Sequence, residues 1–124
     1  MGIGITDVGQ VAVNVQDVHR AAAFYRDVLG LAMLFEIPGA AFFQCGALRL
    51  MLAKAEEAQY DHPASILYYR VPDIHASADA LRAAGAEIVR DPHLLARMPD
   101  HELWMCFFRD SEGNTAALMS EVRG

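Results

Sequence analysis

Basic clusters, cysteine pairs and long apolar runs are all scarce in this chain of 124 residues, and each scarcity removes a class of function. Ten Lys and Arg stand against sixteen Asp and Glu, for a formal net charge of −6, and no basic run is visible. A nucleic-acid partner is therefore not expected, because phosphate binding draws on clustered Lys and Arg. Cys45 and Cys106 are too few and too far apart for a metal motif or a disulfide framework, and both are expected to be small buried hydrophobes. No apolar stretch approaches the roughly 20 residues that span a bilayer, and the N-terminus lacks the basic region of a signal peptide. A cytoplasmic protein with no membrane partner is the expectation.

What is present is a globular composition, 54% hydrophobic and 21% charged, at the size of one ordinary domain. Gln10 to Val15 alternates strictly, so Val11, Val13 and Val15 share one strand face and Gln10, Ala12 and Asn14 the other. Asp17 then sits where a helix N-cap belongs and Gly30 where a left-handed C-cap residue belongs. Between them Val18, Ala22, Tyr25 and Leu29 fall at helical spacing, an apolar stripe that the valine face can bury.

The same stretch occurs twice. Val71, Asp73 and His75 each stand 56 residues after Val15, Asp17 and His19, and Gly85 stands 55 after Gly30. The chain thus reads as two copies of one unit, about residues 8–54 and 65–120, joined by a charged linker at 55–64. After the first helix come a strand over Leu31 to Ile37, a Pro38-Gly39 turn, a strand over Ala40 to Cys45, a break at Gly46 and a strand over Ala47 to Leu52. The second unit repeats this with a strand from Ser65, a helix capped by Asp73 and a strand near Ala86 to Arg90. A longer loop, a strand from Glu102 to Phe108, a tight turn at Asp110 to Asn114 and a strand over Thr115 to Met119 complete it. Met51 and Ala117 are 66 apart, so roughly eleven residues are inserted around His93 to His101.

Two βαβββ units, the phrase Phe24-Tyr25-Arg26-Asp27-Val28-Leu29-Gly30-Leu31 and the phrase Phe107-Phe108-Arg109-Asp110-Ser111-Glu112-Gly113-Asn114 together resemble the vicinal oxygen chelate superfamily. That superfamily includes glyoxalase I, bleomycin-resistance proteins and extradiol dioxygenases. The resemblance covers nearly the whole chain and implies an α+β fold in which two βαβββ units form a curled mixed sheet with a concave cavity. It also implies metal ligands from the first and fourth strands of each unit, which carry over to Gln10, Met51, Ile66 and Ala117. Three of these four offer no suitable donor to a hard or borderline divalent ion, so no metal is expected.

Strand parity places Gln10, Ala12, Asn14, Arg49 and Met51 on the concave side of unit one, and Ile66, Tyr68, Arg70, Thr115, Ala117 and Met119 on that of unit two. The mixture suits a partly apolar small molecule. Met51, Ile66 and Met119 equally suit plain core packing. His101, Glu102 and Trp104 form the densest polar and aromatic cluster, and His93 and His101 could meet across the inserted loop. His19 and His75, in first helical turns, read as exposed surface. The parity of Trp104 and Phe108 against Met105 and Phe107 leaves open which pair faces the cavity.

Two functions follow. The first is a metal-independent protein resembling the bleomycin-resistance branch, which binds an aromatic or antibiotic-like small molecule through Gln10, Asn14, Arg49, Met51, Ile66, Tyr68, His101, Trp104 and Ala117. No catalytic residue is assigned. The second is a lyase, isomerase or epimerase of the glyoxalase type, with one divalent metal ion on displaced ligands drawn from Gln10, His93, His101 and Glu102. Paired units expose sheet edges and apolar helix faces, and the resemblance points the same way, so a homodimer is expected.

Overall fold

The computed structural model describes residues 2–55 and 65–123. The expected linker, with Glu56, Glu57 and His62, lies outside them from residue 56 onward. The chain divides into two compact units, residues 1–64 and 65–124. Unit one contains β1 (Gln10–Asn14), α1 (Val18–Ala23), a π-helical turn (Phe24–Val28), β2 (Ala32–Ile37), β3 (Ala40–Cys45) and β4 (Leu48–Ala53). Unit two contains β5 (Tyr68–Arg70), α2 (Ile74–Ala83), β6 (Glu87–Arg97), β7 (Glu102–Arg109) and β8 (Thr115–Val122). The fold is therefore α+β, built of two βαβββ units.

Each unit is a four-stranded mixed sheet in which the first and fourth strands are parallel neighbours. The strand orders are β1-β4-β3-β2 and β5-β8-β7-β6, with the remaining pairs antiparallel. Both helices start as the sequence predicts. The Asp17 carboxylate accepts from the Arg20 backbone N–H at 3.0 Å and the Asp73 carboxylate from that of Ala76 at 3.1 Å. The first helix does not stay α-helical up to Gly30. It widens at Phe24, where the Leu29 N–H reaches back five residues to the Phe24 carbonyl at 3.1 Å. This turn holds two successive rings, with Phe24 edge-on to Tyr25 at 5.8 Å and Tyr25 over Phe43 at 6.2 Å.

One face of each sheet is buried beneath the helix. In unit one Ala21, Ala22 and Tyr25 pack with Val13, Val15, Phe43, Leu50 and Leu52, all buried. In unit two Ile74, Ala78 and Leu81 pack with Cys106, Phe108 and Leu118. Burial of a ring such as Phe43 or Phe108 contributes about 1.5–3 kcal/mol. Cys106 is fully buried as expected, and burial pushes its thiol up, which makes it unreactive. Cys45, expected to be buried, is only partly so, because it sits at the end of β3 beside the Gly46-Ala47 turn.

Three strand boundaries differ from the sequence reading by three residues or more, one of them the end of β8, which runs on to Val122 rather than Met119. β5 begins at Tyr68 rather than Ser65, which leaves Ile66 outside the strand and 44% exposed. The long loop expected after Arg90 is mostly strand, since β6 runs on to Arg97. Its eleven residues face the eight of β7, and the surplus is absorbed at three register shifts, between Ile88 and Arg90, Arg90 and His93, and Leu94 and Ala96. Pro92, which has no N–H to give a ladder, falls at the middle shift.

The β7–β8 turn is closed by one side chain. Asp110, 6% exposed, accepts from the backbone N–H of Glu112 at 2.8 Å and of Asn114 at 2.9 Å, and from the Asn114 amide at 3.2 Å. Gly113 adopts φ 80° there, a conformation costly for any side chain. Replacing Asp110 with Ala should cost about 2 kcal/mol in urea unfolding, against about 1 kcal/mol for Asp73→Ala at the helix cap. Equal midpoints for the two variants would show that the turn is no more than a surface connection.

Candidate functional site

The sheet face without a helix of its own unit is here termed the open face. In unit one, strand pairing lines up Gln10 with Arg49 and Gln44, Ala12 with Met51, Phe42 and Phe35, and Asn14 with Ala53 and Ala40. All of these share the open face, because paired residues project to one side. The Arg49 Nε–H donates to the Gln10 amide oxygen at 2.6 Å, and the Gln10 amide nitrogen lies 3.8 Å from the Met51 sulfur. The Arg49 guanidinium carbon stands 5.6 Å from the centre of the Phe42 ring, which stacks on Phe35 at 4.5 Å and 27°. The structure thus brings together Gln10, Arg49 and Met51 of the expected set. Asn14 lies further along the same face.

Phe42 and Phe35 belong to this cluster and were not in the expected set. A signal for Phe42 existed: the Gly46-Ala47 turn pairs Cys45 with Leu48, and counting back from it puts Phe42 opposite Met51.

In unit two, Tyr68 pairs with Ala117 and Ala117 with Phe107, while Arg70, Met119, Met105 and His93 form the next row. The Tyr68 and Phe107 rings meet edge to face at 6.1 Å, and His93 stacks on Phe107 at 6.2 Å. Ala117 is fully buried between Tyr68 and Phe107 in register, and its small side chain leaves room for the two rings to meet. The His93 Nδ1–H donates to the Asp91 carbonyl at 2.8 Å, a carbonyl being able only to accept. Its buried Nε2 is then a lone-pair nitrogen with no hydrogen-bond partner among the described residues. Burial first, and the nearby Arg90 charge second, push this imidazole below its usual range, which keeps it neutral at pH 7.

Trp104 lies elsewhere. It shares the helix-bearing face with Ser120 and Leu94, its ring meets that of His75 on α2 at 5.4 Å, and its indole N–H donates to Glu102 at 3.2 Å. Phe107 and Met105, not Trp104 and Phe108, hold the open face. His93 and His101 do not meet: His93 pairs with Met105, whereas His101 lies beyond the Arg97–Glu102 pair at the hairpin end. His19 is exposed and contacts Glu36 at 3.0 Å.

The four positions implied for a metal do not suit one. The Gln10 oxygen already accepts a hydrogen bond from a guanidinium, so the one neutral donor has a fixed positive charge beside it, and Met51, Ile66 and Ala117 add only a thioether and alkyl groups. The displaced set fares no better within unit two. Glu102 faces the helix side and His93 the open side, and among the described residues no group of three or more His, Cys, Asp or Glu is placed to hold a metal ion.

With this fold and these faces established, comparison with known proteins gives the class. The family model of the Glyoxalase/Bleomycin resistance protein/Dioxygenase superfamily matches residues 7–118, and the chain belongs to that family. Among solved structures, it is similar to lactoylglutathione lyase from Agrobacterium tumefaciens (23% identity, 94% of each chain covered, TM-score 0.72). It is also similar to a virulence protein from Salmonella typhimurium (21%, covering 97% of this chain and 100% of that one, 0.77) and a glyoxalase-related enzyme from Fulvimarina pelagi (20%, 94% and 88%, 0.74). At these identities the likeness shows the fold alone. No curated protein matches the chain. Among the described residues no helix is long and apolar enough to cross a membrane.

The hairpin end of unit two holds a second polar cluster. The His101 Nδ1 lies 2.7 Å from Asp100 and its Nε2 3.6 Å from Glu121, while Arg123 reaches both carboxylates, at 2.6 and 3.4 Å. An open depression of about 620 Å³ adjoins it, lined by Arg70, Val71, Pro72, Glu121 and Arg123. Three of its five lining residues are charged and none is aromatic, so the aromatic faces are better suited to an aromatic ligand. The Arg123 guanidinium, with His101 second, holds the Asp100 carboxyl down at about 2, below its ordinary 3.8. The carboxylate is stabilised in the folded state, so its contribution is present above the unfolded value and is lost as pH falls from 3.8 through about 2. Carboxyl NMR should show Asp100 titrating near 2, and Arg123→Gln should move that midpoint up toward the ordinary range. An unmoved midpoint would assign the shift to something other than this pair.

Proposed function

We propose that this chain is a metal-independent member of the family that binds an aromatic or antibiotic-like small molecule on its open sheet faces. The observation that carries the reading is Gln10: its amide oxygen is engaged by Arg49 at 2.6 Å, where a metal site would need that oxygen free and the neighbouring charge negative. The rings supply the complementary support. Phe42 and Phe35 in unit one, and Tyr68, Phe107 and His93 in unit two, present flat surfaces on which an aromatic ligand gains about 0.5–1.5 kcal/mol per ring contact beyond area burial. Met51 adds a polarizable, adaptable wall beside Gln10.

A second reading, a lyase, isomerase or epimerase of the glyoxalase type, has one observation in its favour. The lone-pair nitrogen of His93 is a suitable proton acceptor. It lacks a partner acid and an assembled metal set among the described residues. The proposed assembly is a homodimer, supported by exposed Leu34 and Ile37 on edge strand β2 and Val89 and Leu95 on edge strand β6.

Elemental analysis of purified protein should find no stoichiometric Zn, Ni, Mn or Fe. Chelator should leave the melting temperature unchanged, because a metal bound only to the folded state would raise it by linkage. Gln10→Ala should alter stability by less than about 0.5 kcal/mol. With 2-naphthamide as a neutral aromatic probe, NMR shift changes should gather on Phe42, Met51, Tyr68 and Phe107. One tightly bound metal per chain, or no shift on those residues, would overturn the reading.

A further inference from the structure

We propose that Arg49 selects the ligand by charge, so that the open face of unit one takes a small aromatic carboxylate whose acid group meets the Nη edge of Arg49 while its ring lies along Phe42 and Phe35. The proposal rests on the binding reading above and narrows it to aromatic acids.

Three contacts prepare the guanidinium. The bond from Nε to the Gln10 amide oxygen, at 2.6 Å, fixes the orientation of the plane. The Phe42 ring, 5.6 Å from the guanidinium carbon, supports one side of it. Phe35, stacked on Phe42 at 4.5 Å, extends that support into an aromatic platform. A guanidinium has five N–H donors, of which the Gln10 contact uses one. Nη1 and Nη2 have no hydrogen-bond or ion-pair partner among the described residues. Their outer edge is the geometry that receives a carboxylate through two parallel bonds. Holding the group at Nε lowers the ordering cost that a free arginine would meet on binding.

The local field has the same sign. The chain carries −6 overall, yet among the described strand residues of this face Arg49 is the one charged side chain. Glu36, the nearest strand carboxylate in sequence, pairs with Ala41 on the helix-bearing face and contacts His19 there. An acid docking at Arg49 therefore meets attraction without a competing carboxylate on the surface it occupies.

The test is calorimetric titration of the full chain with 2-naphthoate and with 2-naphthamide, which share a ring system and differ in charge. The acid should bind about tenfold to a hundredfold more tightly than the amide, and its advantage should shrink between about 50 mM and about 0.5 M salt. Arg49→Gln should bring the ratio to about one, with an unchanged circular dichroism spectrum and a cooperative melting transition showing that the variant is folded. Arg49→Lys should restore part of the preference, since a point charge lacks the two-pronged geometry. Equal affinity of the native chain for both probes, or a preference that survives Arg49→Gln, would overturn the proposal and leave the binding reading standing. Binding of neither probe would overturn both.

Discussion

Parallel pairing of the first and fourth strands is the constraint from which the rest of each unit follows. A parallel neighbour cannot be reached by a tight turn, so the chain must cross over, and in both units the crossover is the capped helix followed by two further strands. The crossover covers one sheet face and leaves the other open. The register then decides the chemistry of the open face: Gln10 stands beside Arg49 and Tyr68 beside Ala117 because the ladder puts them there. A slip of one residue would turn Arg49 toward the helix and Leu50 outward. Fully buried Phe43 and Leu52 make that slip costly, so the hydrophobic face also fixes the polar one.

The two units keep one topology and have diverged in what they display. Unit one shows a guanidinium, an amide and a stacked phenylalanine pair, whereas unit two shows a neutral imidazole stacked on Phe107, whose ring in turn meets Tyr68. The common scaffold accounts for the family, and the differences account for any specificity. Among the described residues neither unit groups three or more His, Cys, Asp or Glu where they could hold a divalent ion, and in unit one the local charge is unfavourable as well. Arg49 places a positive charge beside the Gln10 oxygen, so a carboxylate placed at position 51 alone would create an ion pair with Arg49 before it created a metal site.

Much of this was legible in the residues because local and long-range signals agreed. The aspartate caps, the left-handed glycines and the 56-residue spacing fixed the helices and the repeat, and strand alternation placed Gln10, Arg49 and Met51 on one face. The face of Trp104 was recoverable too. The Asp110–Asn114 turn pairs Arg109 with Thr115 and no bulge follows, so counting back sets Phe107 against Ala117 and sends Trp104 to the helix side. The start of β6 was read as the strand near Ala86 to Arg90, but its continuation to Arg97 was not legible, since Pro92 and the register shifts destroy the alternation that marks a strand. The π-helical turn left no mark either, because its residues fit an α-helical stripe equally well. The unsatisfied His93 nitrogen depends on a bulged backbone that sequence parity does not describe.

The bulges bear on assembly as well. β2 and β6 are the outer antiparallel strands of their sheets, and an unprotected edge invites pairing with another chain. Both carry register shifts, and the residues in the shifts, Leu34, Val89 and Leu95, are among the most exposed large apolar groups of their strands. Bulging breaks the even row of N–H and C=O groups that strand addition would need, while it pushes apolar side chains outward. For the homodimer proposed above, such edges favour side-chain packing over edge-to-edge hydrogen bonding. That distinction matters for the open faces, because an assembly held by side chains at the edges leaves the ladder register, and with it the placement of Arg49, unchanged.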